Sequence, residues 1–342
     1  PSFIRTNIFK NRSVSMKSRS RSRNRALCLL LVILIMGTAS AGHARDFDQW
    51  LHGLRQTAQD KGISGGTIDS AFADIRFLER VVALDRKQPE HKMTFRQYRR
   101  HVVNPARIKK GREMMRKHAH LLQDISKTYG VPPQYIVALW GIETNYGENT
   151  GGFSVLASLA TLAYEGRRAD FFRAELIDAL KIIDGGHITP HRMRGSWAGA
   201  MGQNQFMPSS FLRFAVDHDQ DGRKDIWGTD SDVFASTANY LSKSGWRNDE
   251  RWGRAVKLPT GFPAARLGLD HRYSLNELDH MGIRTEEGAH LPKSDLKGSI
   301  VTPDGPSGPA YLVYGNYSVI MKWNRSTYFA TSVGLLADAI SG

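Results

Sequence analysis

Between Asp46 and Lys61 the apolar residues Phe47, Trp50, Leu51 and Leu54 recur at three and four, the spacing of one helical face. The same signal predicts a short helix over Gly65 to Phe72 and others over Thr94 to Val102 and Pro105 to Tyr129. The last of these is long, and its Lys, Arg and His residues read as a solvated face. Phe77 to Pro89 is less regular and reads as a surface crossing. Ser154 to Tyr164 and Ala169 to Asp184 are amphipathic helices joined by Glu165-Gly166-Arg167-Arg168, with Gly185-Gly186 capping the second. Asp232 to Lys243 predicts one more helix, carrying Tyr240. After Trp252 the texture changes to prolines and short alternating runs, such as Gly298 to Val301 and Ala310 to Val313, which predict a small β-rich insertion. Val319 to Trp323 is apolar, Asn324 to Thr327 polar, and Tyr328 to Ile340 predicts a closing helix that returns to the main core.

One polar residue breaks this pattern. In Val131 to Gly147, Pro132 and Pro133 fit only the first turn of a helix. Ile136, Leu139, Trp140 and Glu143 then recur at helical spacing, which puts a lone carboxylate on the apolar stripe near the helix's C-terminal end. Asn145, Gly147, Asn149, Gly151 and Gly152 stop the helix and turn the chain. Burial and the negative end of the helix dipole both disfavour the charged carboxylate, so the pKa of Glu143 should rise, as suits a general acid at neutral pH. From position alone, the alternative is a partly buried Glu paired with an Arg.

Charge changes the picture mainly at the N-terminus. Met16 is a candidate start, followed by a basic run from Lys17 to Arg25, an apolar run of ten from Leu27 to Met36, and cleavage candidates at Ala39-Ser40-Ala41 and Gly42-His43-Ala44. This is the pattern of a secretory signal peptide over residues 1–44, and ten apolar residues fall short of the ~20 that span a bilayer. An uncleaved signal would be the chain's one expected link to a membrane. Those residues hold eight of the chain's Lys and Arg and no acid, so their removal lowers the net charge from +14 to +6. The case for a nucleic-acid partner weakens accordingly, while an anionic envelope polymer stays compatible. Cys28, the single cysteine, would leave with the signal, so an oxidising compartment poses no disulfide problem.

Two further stretches carry candidate chemistry. Ser196 to Ser210 is rich in small residues around Gln203, Asn204, Gln205 and Phe206. Small residues let backbone approach a ligand, and amides bond sugar hydroxyl and acetamido groups without charge; a tight helix-packing loop is the alternative. Asp217, Asp219, Asp221, Gly222 and Asp225 occupy positions 1, 3, 5, 6 and 9 of an EF-hand-like loop, with the Arg223 carbonyl at 7. Position 12 is Gly228, not a bidentate Glu, so a longer loop over 217–232 would have to bring round Asp230 or Asp232. An Asp-rich turn satisfied by its own backbone is the alternative.

Six segments in this order and spacing resemble the lytic murein transglycosylase B family: 141–147 (GIETNYG), 165–172 (EGRRADFF), 195–210 (GSWAGAMGQNQFMPSS), 215–227 (AVDHDQDGRKDIW), 238–246 (ANYLSKSGW) and 314–330 (YGNYSVIMKWNRSTYFA). The resemblance runs from about Phe47 to Ile340 and implies a mainly α (α+β) fold. Its parts would be an N-terminal helical region (45–130), a lysozyme-like catalytic core (131–252), a small β-rich domain (253–313) and a C-terminal segment returning to the core (314–342). It implies cleavage of the MurNAc–GlcNAc β-1,4 bond of peptidoglycan without water, leaving 1,6-anhydro-MurNAc ends, by an enzyme expected to be monomeric and periplasmic. Carried over by motif, Glu143 is the sole acid/base, and Arg167 and Arg168 line the groove. Ser196, Gln205, Phe206 and Tyr240 would stand beside the scissile sugar, Asn324 at the far wall, and Trp323 where the family has an aromatic residue. Asp217, Asp219, Asp221, Arg223 and Asp232 would hold a structural Ca²⁺, with no cofactor required for the chemistry and other cell-wall enzymes as candidate partners. The competing readings are a hydrolytic muramidase, which needs a second acid or a held water, and an inactive peptidoglycan-binding scaffold.

Overall fold

The computed structural model describes residues 46–87 and 93–342; the expected signal segment over 1–44, with Met16 and Cys28, and also Pro89, lie outside them. Helix α1 (46–60) buries Phe47, Leu51 and Leu54, three of the four residues of its apolar face. Helix α2 (Gly65–Phe72) begins at Ser64, whose hydroxyl accepts the Thr67 N–H, and so matches the expected boundaries. The stretch expected to be irregular is instead helix α3 (Glu79–Arg86). It is held by two inward positions four apart, Val81 and Asp85, and a charged inward residue hides the helical period from a reading of apolar residues. Helix α4 (Phe95–Val102) starts at a capping box of Thr94 and Gln97.

The single helix expected over Pro105 to Tyr129 is two, α5 (Pro105–Lys117) and α6 (Ala119–Tyr129), broken at His118. His118 leaves the helical region at φ −107° and ψ 21°, and its ring packs edge-on against Phe234 at 5.2 Å and Trp140 at 6.1 Å. A distant contact therefore decides the break. Helix α7 (Pro133–Thr144) lies at the centre of the molecule, against α5, α6 and two later helices, α11 (Asp230–Lys243) and α14 (Thr327–Ser341). It is buried on all sides from Tyr135 to Ile142, so the expected apolar stripe is a continuous apolar surface.

A two-stranded ribbon, β1 (Phe153–Ser154) with β2 (Arg194–Gly195), brackets helices α8 (Val155–Tyr164) and α9 (Ala169–Asp184). Helix α10 (Pro208–Phe214) follows the small-residue stretch and packs on α9. The β-rich insertion is an antiparallel sheet in the order β4-β6-β7-β3-β5: β3 (Gly253–Lys257), β4 (Tyr273–Ser274), β5 (Arg284–Thr285), β6 (Lys297–Val301) and β7 (Ala310–Val313). It also carries a short helix, α12 (Leu275–His280), and its own buried cluster around Leu278, Ile283, Ile300 and Leu312. Helix α13 (Gly315–Trp323) and α14 bring the chain back to α7. One continuous buried cluster runs from Phe47 to Ile340, so the N-terminal helices share the core that holds α7. Asp304 of the insertion accepts the backbone N–H groups of Phe95 and Arg96 and thus caps α4 from the far side of the chain. Among the described residues no helix is long and apolar enough to cross a membrane.

Candidate active site

Helix α7 ends one residue after Glu143, at Thr144, because the backbone turns left-handed at the next three residues, Asn145 (φ 53°), Tyr146 (φ 62°) and Gly147 (φ 84°). For Asn and Tyr this conformation is strained, and the surroundings hold it in place. The Tyr146 ring lies between two glycines, Gly111 of α5 and Gly141 of α7; a Cβ there would stand 2.6 Å from its hydroxyl and 2.7 Å from its ring carbons. Its hydroxyl donates to the Arg107 carbonyl at 2.7 Å. Thr144 donates to the Gln203 carbonyl at 2.9 Å, and the Gln203 side chain accepts the Trp140 indole N–H at 2.7 Å. The turn behind the carboxylate is therefore clamped to α5 and to the amide-rich loop.

Glu143 itself stands in a cleft lined by Gln205, Phe206, Met207, Ser210, Tyr240, Lys322, Trp323 and Asn324, and part of the residue remains open on that side. Its Oε1 accepts the Trp323 indole N–H at 2.8 Å. Burial pushes the carboxyl up to about 7, against the opposing pull of that hydrogen bond. Glu143 is the one carboxylate among the lining residues. Phe206, Tyr240 and Trp323 form an aromatic wall, with ring centres 5.2 Å (Phe206–Trp323) and 4.7 Å (Tyr240–Trp323) apart, and the Tyr240 hydroxyl donates to the Lys322 carbonyl at 2.8 Å. The Gln205 amide nitrogen donates to the Thr150 and Gly202 carbonyls at 3.0 Å each, which leaves its side-chain oxygen as the acceptor it can offer.

Six of the expected residues, Glu143, Gln205, Phe206, Tyr240, Trp323 and Asn324, thus meet in one cleft. Ser196, Arg167 and Arg168 are not among its lining. The Ser196 hydroxyl accepts the Ala198 and Ala200 N–H groups at 3.3 and 3.0 Å and organises its own turn. Arg167 donates to Asp85 at 2.9 Å and Arg168 to the same carboxylate at 3.3 Å, so both are tied to α3 while their side chains stay largely exposed. Met207, Ser210 and Lys322 line the cleft without having been singled out. All three sit in or beside stretches that were, at 195–210 and 314–330, and neighbourhood was their only signal. Asp85 had none, because its partner is 82 residues away. Gln203 and Asn204, in contrast, are buried and bonded within the core, to Trp227 and to Val233 and Thr237.

The acidic loop brings carboxylate oxygens of Asp217, Asp219 and Asp221 within 4.8 Å of one another. Asp217 accepts the N–H groups of Asp221 and Gly222, the latter left-handed at φ 89°, as the sharp turn of such a loop requires. Asp232, fully buried, closes the loop by accepting the N–H groups of His218 at 2.8 Å and Asp225 at 2.7 Å. Burial raises its pKa, and the charges of Asp219 and Asp217 raise it further, the crowding of like charge that a bound cation relieves. Arg223 pairs with Asp221 at 2.9 Å and is the competing cation already present. The donor set fits a hard, oxygen-binding ion.

Comparison with known proteins shows what this chain is similar to. The Transglycosylase SLT domain matches residues 46–338. The membrane-bound lytic murein transglycosylase B of Escherichia coli (strain K12) is 33% identical over 254 residues, 71% of this chain and 66%, just under two thirds, of that protein. SltB3 from Pseudomonas aeruginosa, solved in complex with NAG-anhNAM-pentapeptide, is 44% identical with a TM-score of 0.84, over 86% of this chain and 80% of that one. The Escherichia coli lytic transglycosylase Slt35, solved in complex with calcium, is 28% identical with a TM-score of 0.73, over 85% of this chain and 92% of that one.

Proposed function

The chain belongs to the family of the Transglycosylase SLT domain, and from that premise we propose that it is a peptidoglycan lytic transglycosylase with Glu143 as its single acid–base group. The observation that carries the mechanism is the isolation of this carboxyl: it is half-buried, hydrogen-bonded among the described residues only to Trp323, and alone among the cleft-lining residues in being acidic. Hydrolytic glycosidases set two carboxyl groups about 5–5.5 Å or about 6.5–9.5 Å apart. One carboxyl suffices when the nucleophile is the substrate's own hydroxyl.

Glu143, in the protonated form that a carboxyl raised to about 7 still populates near neutral pH, gives its proton to the glycosidic oxygen as the bond to the muramoyl anomeric carbon breaks. The C6 hydroxyl of the same sugar then attacks that carbon, and its proton passes to the Glu143 carboxylate. The enzyme ends as it began, no water is consumed, and a 1,6-anhydro ring closes with the effective molarity of a held nucleophile. Gln205, Ser210, Tyr240 and Asn324 are among the polar groups available to the sugar, and Phe206 and Trp323 offer aromatic faces. Ser196 shapes the loop that presents Gln205. Arg167 and Arg168, exposed beyond their tie to Asp85, suit the carboxylates of the stem peptide. Export over residues 1–44 to the periplasm follows from the substrate's location in the cell envelope, and the enzyme is proposed to act as a monomer. The test is mass spectrometry of products from purified peptidoglycan. Ends one water lighter than reducing muramic acid support the reading, and reducing ends sink it.

The acidic loop is proposed to hold Ca²⁺ through Asp217, Asp219, Asp221 and the Arg223 carbonyl, with Asp232 bracing the loop. The ion's contribution there is to stability, since none of these residues lines the Glu143 cleft. An ion that binds the native state raises the melting temperature by mass action. Millimolar Ca²⁺ should therefore raise it relative to chelator, and Asp219→Ala with Asp221→Ala should abolish the difference. Identical melts in the wild type would retire the site.

A further inference from the structure

We propose that Trp323 is a positioning residue: by donating its indole N–H to Oε1 of Glu143 it keeps the acid proton on Oε2, and so fixes which oxygen acts. The proposal rests on the reading of Glu143 as the acid–base group and concerns how one carboxyl performs two opposite transfers.

The argument starts from donor chemistry. An indole nitrogen donates and cannot accept. At 2.8 Å from Oε1, its hydrogen demands a lone pair there. In a neutral carboxyl group the carbonyl oxygen is the better acceptor, so the favoured form has Oε1 as the carbonyl and Oε2 as the hydroxyl. When Oε2 gives its proton to the glycosidic oxygen, the same N–H faces a carboxylate, and the bond becomes charge-assisted and roughly twice as strong. Oε2 is then the oxygen without an indole donor, and it takes the C6 hydroxyl proton. One oxygen gives and recovers the proton while the other stays bonded throughout.

The indole is held for this task. Trp323 ends α13 and is 9% exposed, packed against the rings of Phe206 and Tyr240, whose own ring centres are 5.8 Å apart. The Tyr240 hydroxyl is bonded to the carbonyl of the preceding residue, Lys322, so the aromatic wall and the backbone that carries the indole are tied together. The hydrogen bond also balances burial. Desolvation raises the carboxyl and the N–H lowers it, and the two together leave it at about 7.

The test reads the hydrogen bond directly and needs no turnover. In the full chain labelled with ¹⁵N, the Trp323 indole N–H resonance should move downfield as Glu143 ionises, with a midpoint that matches the kinetic pKa, and should stay fixed in Glu143→Gln. Trp323→Phe keeps an aromatic ring and removes the donor. Its kcat should fall about 10- to 100-fold, as for loss of a hydrogen bond to a charged group, with KM little changed and the pH midpoint moved upward. A purely packing role would leave that midpoint in place. An indole resonance that does not titrate, or a Trp323→Phe enzyme with the wild-type pH midpoint, would overturn the proposal. If the variant does not fold, the titration in the wild type decides alone. Failure of Glu143 as the acid–base group would show differently, as turnover by Glu143→Gln with the indole titration intact.

Discussion

Glu143→Gln should abolish turnover by about 10⁴-fold or more while leaving glycan binding largely intact. General acid–base catalysis contributes typically ~10²–10⁴-fold, and here one group serves both proton transfers, so the loss sits at or beyond the top of that range. Gln keeps the shape of the side chain and an oxygen for the Trp323 N–H, but it cannot deliver a proton. Stability should move the other way. The folded carboxyl is raised to about 7 from an ordinary 4.5, so the folded state holds its proton more tightly than the unfolded chain. That contribution is complete below pH 4.5 and is lost as pH rises through about 7. Above pH 7 the wild type therefore carries a buried charge that Gln does not, and the variant should melt at a higher temperature, with the gap closing in acid. Glu148→Gln is the control: this exposed residue pairs with Lys110 and Asn145, outside the cleft, and its carboxyl lies below the usual range because of Lys110. Rates for the three proteins and melts across pH check both halves, and an active Glu143→Gln enzyme would end the single-carboxylate mechanism.

Gly141→Ala should destabilise the protein by about 1–3 kcal/mol, the usual cost of forcing a methyl group into a filled core, and should lower activity beyond what the lost folded fraction explains. Helix propensity alone gives the opposite sign, since Ala is better than Gly inside a helix by about 0.8–1 kcal/mol. Overpacking wins because the new Cβ would stand 2.7 Å from ring carbons of Tyr146, which cannot retreat. Gly111 blocks its other side, the Arg107 carbonyl holds its hydroxyl, and its backbone is already left-handed. Any shift of Tyr146 displaces the turn that starts two residues after Glu143. Tyr146→Phe, which keeps the ring and loses one hydrogen bond, should cost only about 1 kcal/mol. Denaturant unfolding with kinetics separates the two effects, and a Gly141→Ala protein as stable and as active as the wild type would show that the slot has slack.

Local signals carried much of the fold. Helix α2 runs over Gly65–Phe72 and α4 over Phe95–Val102, within a residue of the bounds read from helical spacing, because that cue acts within a turn or two of the chain. The alternating runs near Val301 and Val313 became β6 and β7, and the acidic spacing of Asp217, Asp219 and Asp221 produced a converging loop, again within a few residues. Glu143 stood out for the same reason, as one charge in an apolar helical register. What local reading could not supply lies at long range. The break at His118 answers to Phe234 and Trp140; helix α3 is anchored by an inward Asp85 that meets Arg167; α7 is covered on every side by helices from both ends of the chain. The donor that meets the Glu143 carboxyl comes from Trp323, 180 residues away. The sequence by itself singled out the carboxyl that we propose as the acid–base group. Only the packing of α13 and α14 against α7 decided which of its two oxygens is held, because a hydrogen bond depends on a distance and a direction that no spacing along the chain contains.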